Sequence, residues 1–254
     1  MMLSVVVLTF NEQKHIRACL ESVRAFADEM LVFDSNSSDR TCEIARERGA
    51  RVEQRAFDNY PNQRNAALDA ARGDWIFFID ADERANAHVG EEIRREISHI
   101  ENAMQDTALF WIPRKNFIFG KWIQHTGWSP DYQPRVLRKT RAHFDPARPV
   151  HELVIANGGE FFLKHPLTHY NYETLAQFRA KQERYTKLEA QEMFAQGIRP
   201  RLRSFASMPA REFARRFFSL QGYRDGLHGL VLSVLMSYYA FRRQVWAREM
   251  WDRK

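Results

Sequence analysis

Apolar and polar positions in the first hundred residues follow two alternating periods. Leu3-Ser-Val-Val-Val-Leu-Thr-Phe10 is a β-branched run of strand length, and Ile16, Leu20 and Val23 after it are spaced to line one helix face. Met30-Leu-Val-Phe33 predicts a second strand that ends at Asp34, and a helix opens at Asp39 behind Ser37 and Ser38, which can cap it. Arg51-Val-Glu-Gln54 predicts a short third strand. Gln63 to Ala71 predicts an alanine-rich helix that Gly73 stops, and Trp75-Ile-Phe-Phe-Ile79 predicts a fourth, buried strand. Strands alternating with helices of this length predict an α/β fold, a mostly parallel sheet flanked by helices on both faces. Ligands of such sheets bind beyond the C-terminal ends of the strands. Thr9, Asn11 and Glu12 leave the first strand there, Asp34 the second, and Asp80 and Asp82 the fourth, so one acidic rim is expected.

Beyond Asn102 the pattern changes to shorter strands and aromatic loops, the mixed second half of one domain. Gly127-Trp-Ser-Pro-Asp-Tyr-Gln-Pro-Arg135 reads as loop, Val136-Leu-Arg138 and Phe161-Phe-Leu163 as strands. A helix from about Glu173 to Ala195 leads through Gly197 and Pro200 into a final segment. The expected organisation is one domain over residues 1–200 and a helical appendage over 201–254.

Charge separates these parts. The formal net charge is +6, yet residues 199–254 hold twelve Lys/Arg and four Asp/Glu, so the basicity belongs to the tail and the rest is slightly acidic. Such asymmetry marks an interaction surface for anionic membrane or nucleic acid, or else a solvated helical face. The two cysteines, Cys19 and Cys42, both fall in expected helices and give neither a disulfide framework nor a metal-site spacing. No basic segment precedes the first apolar run, which breaks at Asn11-Glu12, so it reads as a core strand and the expected setting is cytoplasmic.

The chemistry concentrates in Trp75-Ile-Phe-Phe-Ile-Asp80-Ala-Asp82-Glu83. Carboxylates at the tip of a buried strand are solvated or hold something positive, because burying them unpaired is expensive. Two carboxylates one residue apart can bind Mg²⁺ or Mn²⁺, hard cations that take oxygen ligands and keep positions open for a substrate phosphate. The first turn, Thr-Phe-Asn-Glu-Gln, has neither the Gly-x-Gly-x-x-Gly of a dinucleotide fold nor the Gly-x4-Gly-Lys of an NTPase.

Taken in order, Leu3-Ser-Val-Val-Val-Leu-Thr-Phe-Asn-Glu12, Val32-Phe-Asp-Ser-Asn-Ser-Ser-Asp-Arg-Thr41, Asn62-Gln-Arg-Asn-Ala-Ala67 and Asp80-Ala-Asp82 resemble the inverting family-2 glycosyltransferases of the GT-A fold. Pro149-Val-His-Glu152, His165-Pro-Leu-Thr-His-Tyr170, Lys181 and Arg184-Tyr185 resemble, more narrowly, the lipopolysaccharide core β-1,4-glucosyltransferases. The resemblance implies transfer of a sugar from a UDP-sugar, UDP-glucose in the narrower group, to a lipopolysaccharide-core or other lipid-linked acceptor at the inner face of the cytoplasmic membrane.

The resemblance also implies roles. Thr9, Asn11 and Glu12 would border the base and ribose, Asp34 would accept from the uracil ring with Arg64 beside it, Asp80 would touch the ribose, and Asp82 would ligate the metal. Arg64 would otherwise be an exposed helix-start cation or a structural partner of Asp34. His169 would be a further metal ligand, or a packed histidine. The acceptor hydroxyl needs a general base. The relatives' Glu-Asp motif is missing at the expected point, and Val150-His151-Glu152 is the best candidate segment, with Glu152 as the expected base or else as the partner of an arginine. Lys181 and Tyr185, one helical turn apart, could share a phosphate or form a solvated face. Trp128, Asp131 and Arg135 suit an acceptor sugar, or the core.

In the tail, Gly226 to Phe241 is nearly all apolar, shorter than the roughly 20 residues that span a bilayer, and flanked by arginines. An interfacial helix on an anionic leaflet, a helix buried in a homo-oligomer or against the main domain, and nucleic-acid binding all fit that composition; the expectation is membrane contact and no nucleic acid. The rival functions are a non-catalytic nucleotide-sugar-binding module and a nucleotidyltransferase, although the latter's triphosphate loop is missing after the first strand.

Overall fold

The computed structural model describes residues 1–148 and 153–253, which fall into two compact units. The first comprises Met1–Arg114 and Asp131–His169, the second Lys115–Pro130 and the chain from Tyr170 onward.

In the first unit, β1 (Leu3–Thr9), α1 (Ile16–Val23), β2 (Glu29–Asp34), α2 (Thr41–Glu47), β3 (Arg51–Gln54), α3 (Tyr60–Ala70) and β4 (Trp75–Phe78) alternate as the sequence predicts. β1 pairs in parallel with β2 and β4, and β2 with β3, in the order β3-β2-β1-β4. α3 begins earlier than its alanine pattern, because the Asn59 side chain accepts from the Asn62 amide and Pro61 needs no amide partner in the first turn. Residues of opposite parity fill opposite faces. Val5, Val7, Val32, Trp75, Phe77 and Ile79 join α1 in one core; Val6, Leu31, Phe33, Ile76 and Phe78 join Ala67 and Leu68 of α3 in the other. Each large side chain so buried contributes about 1.5–3 kcal/mol.

The chain continues through β5 (Glu83–Arg84), α4 (Ala87–Asn102), β6 (Thr107–Ile118), β7 (Lys121–Trp122), β8 (Tyr132–Arg138), β9 (Ala142–Phe144), β10 (Val154–Ala156), β11 (Gly159–Phe162) and β12 (Leu167–Tyr172). β8 lies antiparallel between β4 and β6, and β11 runs parallel to β6. This is the α/β architecture expected from the resemblance, extended by antiparallel strands.

The stretch read as a loop up to Arg135 is strand from Tyr132 onward, a correction with a local cause. Phe110 pairs with Val136 and Trp111 with Pro134, so Arg135 is the extra residue of a β-bulge. Pro134 has no amide to give the ladder, and a bulge is where strands accommodate that.

In the second unit, β7 pairs with Phe117 and Ile118 at the end of β6, and α5 (Leu175–Ala195), α6 (Ser204–Ala214) and α7 (Leu227–Asp252) follow. A capping box of Thr174 and Gln177 starts α5. Ile118, Ile123, Tyr172, Phe178, Leu232 and Tyr239 form the core. Because Phe178 of α5 packs on Tyr239 of α7, the expected boundary at residue 200 falls inside this unit.

Candidate active site

The ends of β1 and β2 are tied together at one level of the sheet, where Thr9 faces Asp34. Asp34 is buried and accepts from Thr9 Oγ1 (2.8 Å), from the amide and hydroxyl of Ser37 (2.8 and 2.5 Å) and from Gln54 Nε2 (3.3 Å). Burial would raise its carboxyl, but these donors outweigh burial and hold it below the usual carboxylate range. A base placed here would meet a carboxylate already oriented by four bonds. Asn11 takes a left-handed backbone conformation (φ 57°) that asparagine tolerates, and its Oδ1 accepts from the Ser38 amide at 2.9 Å. The Glu12 amide donates to Thr41 Oγ1 at 2.7 Å. The expected donor-site residues of the first two strands therefore share one hydrogen-bonded rim.

The fourth strand's carboxylates separate into different environments. Asp80 is half-buried and faces Arg135, whose Nη1 lies 3.2 Å from Oδ1 and whose Nη2 bonds Oδ2; Arg64 Nη2 lies 3.7 Å from Oδ1. Burial would raise Asp80, and the charges of Arg135 and Arg64 bring it well below the carboxylate range instead. Glu83, fully buried, accepts the Asp80 amide at 3.0 Å, Arg135 Nη2 at 2.5 Å and Arg114 Nη1 at 3.3 Å. For Arg135, burial disfavours the charged form, but Asp80 and Glu83 more than restore it. The bulge aims Arg135 at both carboxylates, a re-aiming that such irregularities permit.

Asp82 points elsewhere. Its Oδ2 lies 3.4 Å from His169 Nε2, and His169 is buried. The pairing of β5 with β12 sets this contact, since Glu83 faces His169 in the antiparallel register and Asp82 is the residue before it. Nearby, the Glu12 carboxyl is pushed up to about 7, first by burial, then by the charges of Asp82, Asp39 and Asp80, with Arg84 opposing. A carboxylate and an imidazole side by side in a zone too negative for Glu12 to ionise readily can each give one ligand to a divalent cation, the carboxylate to Mn²⁺ or Mg²⁺ and the imidazole to Mn²⁺ rather than to oxygen-preferring Mg²⁺. Among the described residues no group of three or more His, Cys, Asp or Glu forms a ready-made metal cage, so further positions would fall to substrate phosphate and water.

The remaining expected residues are placed as follows. Arg64 lies over the rings of Phe78 and Phe144, at 5.5 and 5.3 Å, beside Asp80. Asp131 holds Arg114, with Oδ2 2.8 Å from Nη2, and accepts from Gln133 Nε2 at 2.7 Å. Asp131 and Arg135, read as acceptor contacts, thus carry protein-internal bonds in the first unit. Trp128, in the second unit, packs edge-on against Tyr172, and its carbonyl accepts from Asn116. Also in the second unit, Lys181 Nζ donates to Asn171 Oδ1 at 3.2 Å and sits 5.1 Å from the Tyr172 ring centre, while Tyr185 is half-buried with Arg184 over its ring. Glu152, the expected base, lies outside the described residues. Glu83 and Arg114 were missed. Glu83 carried a signal, a third carboxylate at the tip of a buried strand; Arg114 carried none.

A family model described as "Glycosyl transferase family 2" matches residues 4–187. An uncharacterized glycosyltransferase of Rickettsia bellii is 28% identical over 98% of this chain and 86% of its own length. The lipopolysaccharide core biosynthesis glycosyltransferase LpsC of Rhizobium meliloti is 26% identical over 94% of this chain and 89% of its own. Among solved structures, S. aureus TarS residues 1–349 in complex with UDP aligns over 98% of this chain and 92% of its own, at 17% identity and a TM-score of 0.47. Two structures of glucosyl-3-phosphoglycerate synthase from Mycobacterium tuberculosis align over about half of each chain, 48% of this one with 45% of that one and 55% with 57%, at TM-scores of 0.36 and 0.39.

Proposed function

The chain belongs to glycosyltransferase family 2, and from that premise we propose that it moves a sugar from a UDP-sugar, UDP-glucose by the narrower resemblance, onto a lipopolysaccharide-core or other lipid-linked glycan, with inversion and with Mg²⁺ or Mn²⁺. The observation that carries this reading is the Asp82–His169 pair at 3.4 Å beside the Arg135-held Asp80. The 26% identity to a lipopolysaccharide core glycosyltransferase supports the acceptor class.

In the proposed reaction an acceptor hydroxyl attacks the anomeric carbon on the face opposite UDP. A new C–O bond forms, the bond to the diphosphate breaks, and the hydroxyl proton passes to Glu152. Asp34, Thr9 and Asn11 border the nucleoside. Asp80, with both oxygens oriented by Arg135, accepts from the ribose, and Asp82 with His169 holds the cation. That cation, when bound, supplies Lewis-acid stabilisation of the charge gathering on the departing diphosphate. A lipid-linked acceptor places the protein at the cytoplasmic membrane surface, on its inner face, as a peripheral protein.

The test is a thermal-shift panel of nucleotide sugars with and without Mn²⁺. At about 100 times its Kd a selective donor adds about 2.7 kcal/mol, roughly 5–10 °C for a chain this long. Only a UDP-sugar with Mn²⁺ should give that shift. A panel in which no UDP-sugar shifts the transition, or in which EDTA changes nothing, overturns the reading.

A further inference from the structure

α7 is apolar on two sides. Its inner side is covered within the second unit. Leu232, Ser233, Tyr239 and Ala240 are buried, Tyr239 packs on Phe178 of α5, Ser237 Oγ donates to the Pro209 carbonyl of α6, and Ser204 Oγ bonds Gln244. Leu227, Leu230, Val231, Val234, Tyr238 and Phe241 are exposed, Leu227 at 72% and Val234 at 51%. At 100° per residue these six fall within an arc of about 100°, and at 1.5 Å per residue the stripe is about 21 Å long. A continuous exposed stripe of this kind marks an interaction site, where scattered surface leucines would not.

Charge decides between occupants. From Gly226 to Arg248 the chain has no Asp or Glu; Arg243 is paired with Glu189 of α5 and Arg248 with Asp252, and Arg242 has a tyrosine hydroxyl rather than a carboxylate as its partner. The acid just before the helix, Asp225, is buried and accepts from the amides of Gln124 and His125 and from Thr126 Oγ1, so it places no negative charge at the surface. Arg242 Nη1 donates to the hydroxyl of Tyr238 inside the stripe at 3.0 Å, and exposed Arg224 lies in the turn before Leu227. Cations therefore sit at both ends of the apolar strip. A second copy of the same surface would bring those cations against one another, a like-charge juxtaposition that costs several kcal/mol. A lipid surface with anionic headgroups accepts both features, the stripe in the acyl boundary and the guanidiniums among the phosphates. Among the described residues no helix is long and apolar enough to cross a membrane.

We propose that the outer stripe of α7, Leu227 to Phe241, is the surface by which this protein lies on an anionic membrane, with Arg224 and Arg242 engaging headgroup phosphates. This rests on the reading above only in that a lipid-linked acceptor needs such a contact.

The test is flotation of the full-length protein with phosphatidylglycerol vesicles and with phosphatidylcholine vesicles. Wild type should bind the former at least about tenfold more tightly, and less so at high salt. Val234→Glu should lower that binding at least about tenfold. Arg224→Gln with Arg242→Gln should weaken it by about fivefold per charge and flatten the salt dependence. Leu227→Gln, at the most exposed stripe position, repeats the stripe test where Val234→Glu disturbs folding. Equal binding to both vesicle types, no binding, retained binding in both stripe variants, or a solution dimer that the stripe variants dissociate would each overturn the proposal. The Mn²⁺-dependent UDP shift, read on the same samples, should be unchanged in the stripe variants. A vesicle result against the stripe with that shift intact removes the docking surface alone, and loss of the shift in wild type removes the transferase reading alone.

Discussion

Asp82 and His169 meet at 3.4 Å although most of the first unit's strands lie between them in sequence. The two-residue strand β5 sets the contact by pairing Glu83 with His169 in β12. Removing either side chain should therefore act on cation affinity before it acts on folding. Asp82→Asn is expected to abolish the Mn²⁺-dependent part of UDP binding with melting in EDTA within about 1 kcal/mol of wild type, and His169→Gln, which keeps the buried volume filled, to weaken that binding about 10–100-fold. Isothermal titration of UDP with and without Mn²⁺ checks this. Unchanged Mn²⁺-dependent affinity in Asp82→Asn would sink the metal assignment.

Arg135 is held between Asp80 and Glu83, and the three should behave as one buried unit. Arg135→Ala leaves two neighbouring carboxylates with only the longer contacts to Arg64 and Arg114, at 3.7 and 3.3 Å, a loss expected to cost about 3–5 kcal/mol. Glu83→Gln keeps the shape and a single acceptor oxygen, so a smaller loss of about 1–3 kcal/mol is expected, together with a higher KM for the donor. Urea melts combined with donor kinetics separate these outcomes. Wild-type stability in Arg135→Ala would mean that the network contributes little.

Much of this was legible in the chain. The β-branched runs and the 3.6-residue spacing of Ile16, Leu20 and Val23 dictate strands and helix, because burial on two sheet faces demands that pattern. Asp80 and Asp82 were legible as a strand-tip pair for the same reason. Arg135 falls in a stretch that reads as loop because Pro130 precedes it and Pro134 adjoins it, while the strand that begins at Tyr132 tolerates Pro134 at a bulge. The ties of Asp131 to Arg114 and of Glu83 to Arg114 were not legible, since they depend on antiparallel neighbours that no local periodicity announces.

Glu12 gives the metal-free protein a pH signature. Its carboxyl ionises at about 7 in the folded chain, raised by burial and then by Asp82, against an ordinary value of 4.5. Between those values the unfolded chain has released a proton that the folded chain keeps. Stability must therefore fall as pH rises through that window and level off above 7. The full shift corresponds to about 3.4 kcal/mol; solvent screening of this partly exposed side chain brings the expected cost to about 2 kcal/mol, which Glu12→Gln should remove. Melting in EDTA from pH 5 to pH 8, wild type against Glu12→Gln, measures the difference. Parallel curves would show that Glu12 ionises normally.

Glu152 is assigned as base from sequence alone, so kinetics must separate it from a residue that only pairs with an arginine. A general base acts on the acceptor proton in the transition state and contributes about 10²–10⁴-fold. Glu152→Gln should therefore lower kcat at least about 10²-fold with the donor's Mn²⁺-dependent affinity nearly unchanged, because the amide keeps the side chain's shape and loses only its basicity. The wild-type fall in kcat at low pH, where a base is protonated, should also disappear from the variant's residual activity. A structural partner of an arginine would instead show lowered stability with kcat reduced modestly and its pH profile intact. Near-normal turnover in Glu152→Gln would place the base elsewhere in the chain.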